Sequence, residues 1–181
     1  MENTLQIDDR VAVNKIPFIS KSVNRGDVVV FRDPANWLPT PAEDVSGNII
    51  IAKAKTVLEF TGVLPNPAKQ YLVKRVIGIA GDKVECCDKD GALTINGQPT
   101  NEPYIFAGNK PSEMNFNVTV PEGKIWVMGD HRGASADSRY HQDDVNNGMV
   151  PVSRVTGRVF GIIWPFKNFG FVSSVNPLSP K

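Results

Sequence analysis

Lys74 stands inside YLVKRVIGIAGD, Tyr71 to Asp82, a run that is otherwise mostly apolar and β-branched. Strand alternation places Tyr71, Val73, Arg75, Ile77 and Ile79 on one face and Leu72, Lys74, Val76, Gly78 and Ala80 on the other. A lysine between Leu72 and Val76 on an apolar face loses hydration in its charged form, so its pKa falls below the usual value of about 10.4. The neutral amine is then a general base that can take a proton from a hydroxyl. An edge strand offers a second and commoner arrangement, in which the stem covers apolar surface and the head reaches water. Arg75, on the opposite face, fits a structural cation paired with a carboxylate.

A second stretch, MGDHRGASADSR from Met128 to Arg139, is a Gly-Asp turn followed by a loop of small, hydroxyl and charged residues. Such a loop can order a site through side-chain-to-backbone hydrogen bonds, though most loops of this composition are only connections. Cys86 and Cys87 are adjacent, and neighbours on a strand point to opposite faces, so the expectation is two free thiols. No spaced Cys/His set suggests a metal site.

The elements that would position these residues are short. With 14 prolines and 15 glycines in 181 residues, strands and turns are favoured over long helices. DRVAVN (Asp9 to Asn14) alternates as a strand, and RGDVVVFRDP (Arg25 to Pro34) is a second strand stopped by Asp-Pro. A loop is expected over 35–48 and a helix over 49–62, capped near Gly62. KVECCDKDGALTING predicts a hairpin with turns at Asp90-Gly91 and Asn96-Gly97. Another strand follows at Lys124 to Met128, then a polar loop over 131–147. VPVSRVTGRVFGIIWPF predicts a bent terminal strand pair. The expected fold is mainly β: antiparallel sheets forming a core from 1–82 and 125–172, an inserted β-hairpin-rich sub-region at 83–124, and a loosely ordered tail at 173–181.

Charge and hydropathy limit the function classes. Lys+Arg 20 against Asp+Glu 19 gives no electrostatic case for nucleic acid. No stretch reaches the roughly 20 apolar residues that span a bilayer, and no signal peptide is present, so a soluble piece of a longer chain is the expectation.

Taken together, four segments resemble the bacterial type I signal peptidases, in a Gram-positive, actinobacterial-like form. MENTLQIDDRVAVNK is similar to the segment that follows their nucleophile, and RGDVVVFRDP to the next box. YLVKRVIGIAGD and MGDHRGASADSR are similar to their lysine box and their Gly-Asp-Asn-Arg box, in the family's order. The resemblance spans Met1 to about Phe166. It implies a membrane-tethered serine protease with a Ser/Lys dyad that cuts signal peptides from exported proteins. Lys74 would be the base and Ser135 the hydroxyl that orients it. Asp137 and Arg139 would support the loop as a pair, and Arg75 and Asp130 would form an ion pair behind the site. Met1, Leu5, Val11, Leu72 and Val73 match substrate-pocket positions. These pockets would suit small residues in the Ala-x-Ala pattern, with the substrate extended along a strand edge near Leu72–Val73. No cofactor and no metal are implied.

The sequence departs from the family pattern at several places. His131 stands where Asn is usual, and Gly133 and Ala134 replace more polar residues, so fewer loop hydrogen bonds are expected. A Ser-His-Asp reading through His131 or His141 is set aside in favour of solvated loop histidines, because the pattern already supplies a base. The nucleophilic serine would lie immediately before Met1. Ser20, Ser22, Ser135 and Ser138 do not occupy its position, so residues 1–181 alone are expected not to cleave. The expected location is the extracytoplasmic side of the cell membrane, with part of the cluster Trp164, Phe166, Phe169 and Phe171 exposed against lipid. Two alternatives stay open: a non-catalytic β-rich peptide-binding module, and a self-cleaving repressor of the SOS type with its own Ser/Lys pair.

Overall fold

A computed structural model of the chain describes residues 1–15, 22–39 and 70–179. The helix expected over 49–62 and most of the loop expected over 35–48 lie outside these residues. Every strand pairing among the described residues is antiparallel, and the only helical pieces are single 3₁₀ turns, as the mainly β class requires. No described helix is long and apolar enough to cross a membrane.

Strand β1 (Arg10–Asn14) alternates as its sequence suggests, and β2 (Val28–Arg32) is a β-branched run. Asp33 ends β2. Its carboxylate accepts hydrogen bonds from the backbone N–H of Ala35, Trp37 and Leu38 at 3.1, 2.9 and 2.8 Å, which turns the chain away from the sheet. Strand β3 (Tyr71–Gly78) follows, then β4 (Lys83–Cys86), β5 (Leu93–Ile95) and β6 (Gln98–Pro99). Asn96 and Gly97 turn β5 into β6 with φ of 55° and 77°, the positive pair that a two-residue hairpin turn needs. The remaining strands are β7 (Phe116–Thr119), β8 (Lys124–Met128), β9 (Val150–Pro151), β10 (Val155–Trp164) and β11 (Gly170–Phe171).

The strands form two sheets. One has the order β1-β10-β2-β3-β8-β9, with β11 on β10; the other has the order β6-β5-β4-β7. The bent terminal pair resolves into β9, which extends β8, and the ten-residue β10, which reaches β1, β2 and β11. The apolar residues gather in three clusters. The first joins the sheets through Ile77, Val84, Leu93, Ile95, Phe116 and Trp126. The second holds Val29, Phe31, Trp37, Leu72, Val76 and Val127. The third, around Leu5, Val28 and Val159, includes Met1, Val11 and Val73.

Three sequence expectations meet a different outcome or new detail. The β3–β8 register shifts between Val76 and Gly78, so simple alternation stops there. Ile77 enters the first cluster, whereas Ile79 packs with the second cluster alongside Leu72 and Val76, not with Arg75's face. Cys86 and Cys87 are joined in a disulfide rather than free; β4 ends at Cys86, so strand alternation does not extend to the pair. The tail has defined contacts along 173–178. Ser173 O accepts from Arg75 Nη1 at 3.4 Å, Ser174 Oγ donates to Asp27 at 2.8 Å, and Pro177 O accepts from Asn101 N at 2.7 Å. Val175 and Leu178 pack against the first cluster.

Candidate active site

β3 carries its two cations into opposite surroundings. The Arg75 guanidinium is buried and forks onto Asp130, with Nε to Oδ1 at 2.9 Å and Nη2 to Oδ2 at 2.8 Å. Its other N–H groups donate to Gly26 O at 2.8 Å and Thr4 Oγ1 at 3.2 Å, and the Tyr104 ring lies 4.1 Å from its central carbon. Thr4 Oγ1 in turn donates to Asp130. A planar cation with five donors suits this closed arrangement.

Lys74 has no salt bridge among the described residues. Its Nζ lies 2.8 Å from Ser135 Oγ. Burial lowers its pKa below the ordinary lysine value; the charges of Asp137 and Asp130 oppose that shift, and Arg139 reinforces it. Met1 packs in the same apolar cluster as Val73, the neighbour of Lys74 in β3. The Lys74 amine and the Ser135 hydroxyl meet directly.

The loop that presents Ser135 is tied down by buried hydrogen bonds. It contains two 3₁₀ turns, Arg132–Ala134 and Ser138–Tyr140. Asp137 is fully buried and accepts from Gly129 N at 3.0 Å and from Arg139 N, Nε and Nη2 at 3.2, 2.8 and 2.9 Å. Ser138 Oγ accepts from Val127 N at 3.0 Å, tying the loop back to β8. Gly129 is required by closeness: a Cβ there would sit 2.2 Å from Ser135 Oγ and 3.8 Å from Lys74 Cδ. Gly133 N still finds a partner in Asn109 Oδ1 at 3.0 Å. A shallow open cleft of about 330 Å³ borders Ser135, lined by Gly133, Ala134, Ala136, Tyr140 and His141.

Of the pocket positions, Met1, Leu5, Val11 and Val73 share the third apolar cluster, while Leu72 lies in the second, with Phe31 and Trp37. The histidines are not solvated loop residues. His131 Nδ1 donates to Glu2 Oε2 at 2.5 Å and its ring stacks on Phe106; His141 Nδ1 lies 2.9 Å from Asp137 O and its ring stacks on Trp37. Aromatic rings brought in from distant segments hold both, which the loop's own polar sequence does not reveal. Sequence reasoning also missed Thr4, Tyr104 and the buried pair of Arg132 and Glu102, 2.7 Å apart. Thr4 and Arg132 lie within the quoted motifs, but Glu102 and Tyr104 carry no local signal.

The family model described as signal peptidase, peptidase S26, matches residues 1–164. The chain belongs to the signal peptidase family. A probable signal peptidase I of Mycobacterium leprae is 39% identical over 202 residues, covering 97% of this chain and 69% of that protein. Signal peptidase I of Mycobacterium tuberculosis is 39% identical over 196 residues, covering 98% of this chain and 66% of that protein. The chain thus spans about two thirds of the length of these relatives. A solved signal peptidase I from Enterococcus faecalis is 26% identical with a TM-score of 0.45, covering 76% of this chain and 96% of that one. The actinobacterial character of the motifs agrees with the mycobacterial relatives. Signal peptide removal by a serine endopeptidase is the reaction of this family.

Proposed function

We propose that the protein removes signal peptides from exported preproteins, with Lys74 as general base for a serine joined to the Met1 nitrogen. The observation that carries this reading is the Lys74 amine: desolvated, without a carboxylate in salt-bridge contact among the described residues, and 2.8 Å from Ser135 Oγ. The neutral amine would take the serine proton as Oγ attacks the scissile carbonyl. It would then give that proton to the departing amine of the mature protein, leaving an acyl-enzyme. Water, activated by the same amine, would release the signal peptide and restore the serine. Ser135 orients the amine. Asp137 and Arg139 hold the loop, and Arg75 with Asp130 holds the segment behind it.

Two features support the substrate class. β2 pairs with β3 from Tyr71 to Arg75, but β8 pairs with it only from Arg75 to Gly78. Leu72–Lys74 therefore has an edge without a strand partner among the described residues, where an extended peptide can add. The cluster of Met1, Leu5, Val11 and Val73 offers an apolar wall next to that edge, suited to small side chains. We take residues 1–82 and 125–172 as the catalytic core and 83–124 as its insertion.

The protein would work at the extracytoplasmic membrane surface. Trp164, Phe166, Phe169 and Phe171 are 48%, 76%, 67% and 88% exposed, an apolar surface that favours lipid over water. Residues 1–181 preceded by a serine would cut a peptide with Ala-x-Ala before the scissile bond, and Lys74→Ala would abolish the cut. Equal turnover with and without the serine, or full activity of Lys74→Ala, would overturn the reading.

A further inference from the structure

The first four residues form a turn in which the N–H groups of Thr4 and Leu5 both donate to Met1 O at 2.9 Å. Three consecutive side chains anchor this turn. Thr4 is held by Asp130 and Arg75, and Asn3 Nδ2 donates to Tyr104 O at 2.9 Å. The third anchor is Glu2, whose Oε2 accepts from His131 Nδ1 at 2.5 Å. His131 is fixed in turn from its flat side, since its ring lies 4.3 Å from that of Phe106 at an interplanar angle of 17°. His131 is also the loop position where this chain departs from the usual Asn of the family. A histidine supplies both a ring to stack and a nitrogen to donate, which an asparagine does not.

The geometry points to His131 and Glu2 as a positioning pair for the nucleophile. Glu2 is the anchored residue nearest in sequence to the Met1 nitrogen, and Met1 packs in the same apolar cluster as Val73, the neighbour of Lys74 in β3. His131 belongs to the same loop as Ser135, whose hydroxyl lies 2.8 Å from the Lys74 amine. The pair therefore links the segment that presents the serine to the loop that orients the base. Catalysis by a base depends steeply on such distances, because a displacement of about 1 Å can cost on the order of a hundredfold in rate. Neither residue touches the reacting atoms; each acts through the turn it holds.

This inference rests on the serine–lysine reading, and the test separates the two. In the serine-preceded chain, Glu2→Ala and His131→Phe should each lower kcat roughly tenfold with KM changed less than about twofold. The His131→Phe variant keeps the stacking and removes only the donor. The double variant should lose no more than either single one, since both break one link. Glu2→Gln, which keeps an acceptor, should recover most of the lost kcat. Thermal unfolding midpoints should stay within about two degrees of the parent's, because both residues are at least partly exposed. Unchanged kcat, a loss in KM alone, or losses that multiply in the double variant would overturn the pair's role. Lys74→Ala is measured alongside. If it is inactive while the Glu2 and His131 variants match the parent, only the positioning role falls; if it is as active as the parent, the serine–lysine reading falls and the pair's role with it.

Discussion

On one side of β3 the Arg75 guanidinium meets a buried carboxylate, a backbone carbonyl, a threonine hydroxyl and an aromatic face. On the other, the Lys74 amine meets a single serine hydroxyl among the described residues and has its charge disfavoured by burial. The two residues are consecutive in the chain. What separates them is whether a carboxylate is delivered to salt-bridge distance. A buried cation with a partner is structure; a buried cation without one has its protonation set by its surroundings and is available for chemistry.

The contrast can be tested from its strongest consequence downward. Lys74→Arg in the serine-preceded chain should lower kcat by about a thousandfold or more, because a guanidinium stays protonated and cannot act as a base. Turnover within tenfold of the parent would remove the distinction between the two cations. Asp130→Ala strands the Arg75 charge and should cost about 3–5 kcal/mol of stability, read from urea unfolding. A loss below about 1 kcal/mol would mean that the carbonyl, hydroxyl and ring partners suffice. Gly129→Ala puts a Cβ 2.2 Å from Ser135 Oγ, so Ser135 must move from the amine. A kcat loss of roughly tenfold is expected, and unchanged kcat would show that the orienting hydroxyl is dispensable.

The smallest effect is on stability. The folded-state pKa of Lys74 lies below its ordinary value of 10.5, so between the two values the unfolded chain binds more protons and stability rises with pH. Below the folded value the whole penalty is present. Lys74→Met, which removes the charge and keeps the bulk, should therefore stabilise the fold at neutral pH. The gain should shrink as pH rises to and beyond the ordinary lysine value. Urea midpoints at neutral and alkaline pH measure it, and an equal gain at both would exclude desolvation as its source.

Much of this was legible in the chain because it depends on neighbours in sequence. Alternation set Lys74 and Arg75 on opposite faces, and Asp33-Pro34 and Asn96-Gly97 mark where strands stop and turn. Alternation failed where a partner strand intervened. The shifted register against β8 moved Ile79 to the face of Val76, and nothing in YLVKRVIGIAGD encodes a bulge. Leu72 does join Val76 in one cluster, as alternation requires, but that Phe31 and Trp37 cover this face is set by the strands and loops that fold over it.

By itself, the sequence determined the strand-rich class, the side of β3 that each cation takes, and the residue types available for a proton-transfer site. Those follow from local sterics and from spacing along a backbone whose side chains alternate. Only the tertiary structure decided which groups meet. Lys74 and Ser135 are 61 positions apart and become partners, as do Arg75 and Asp130 across 55, Arg132 and Glu102 across 30, and His131 and Glu2 across 129. Such contacts are fixed by sheet register and by the packing of three apolar clusters, which are properties of the whole chain rather than of any segment.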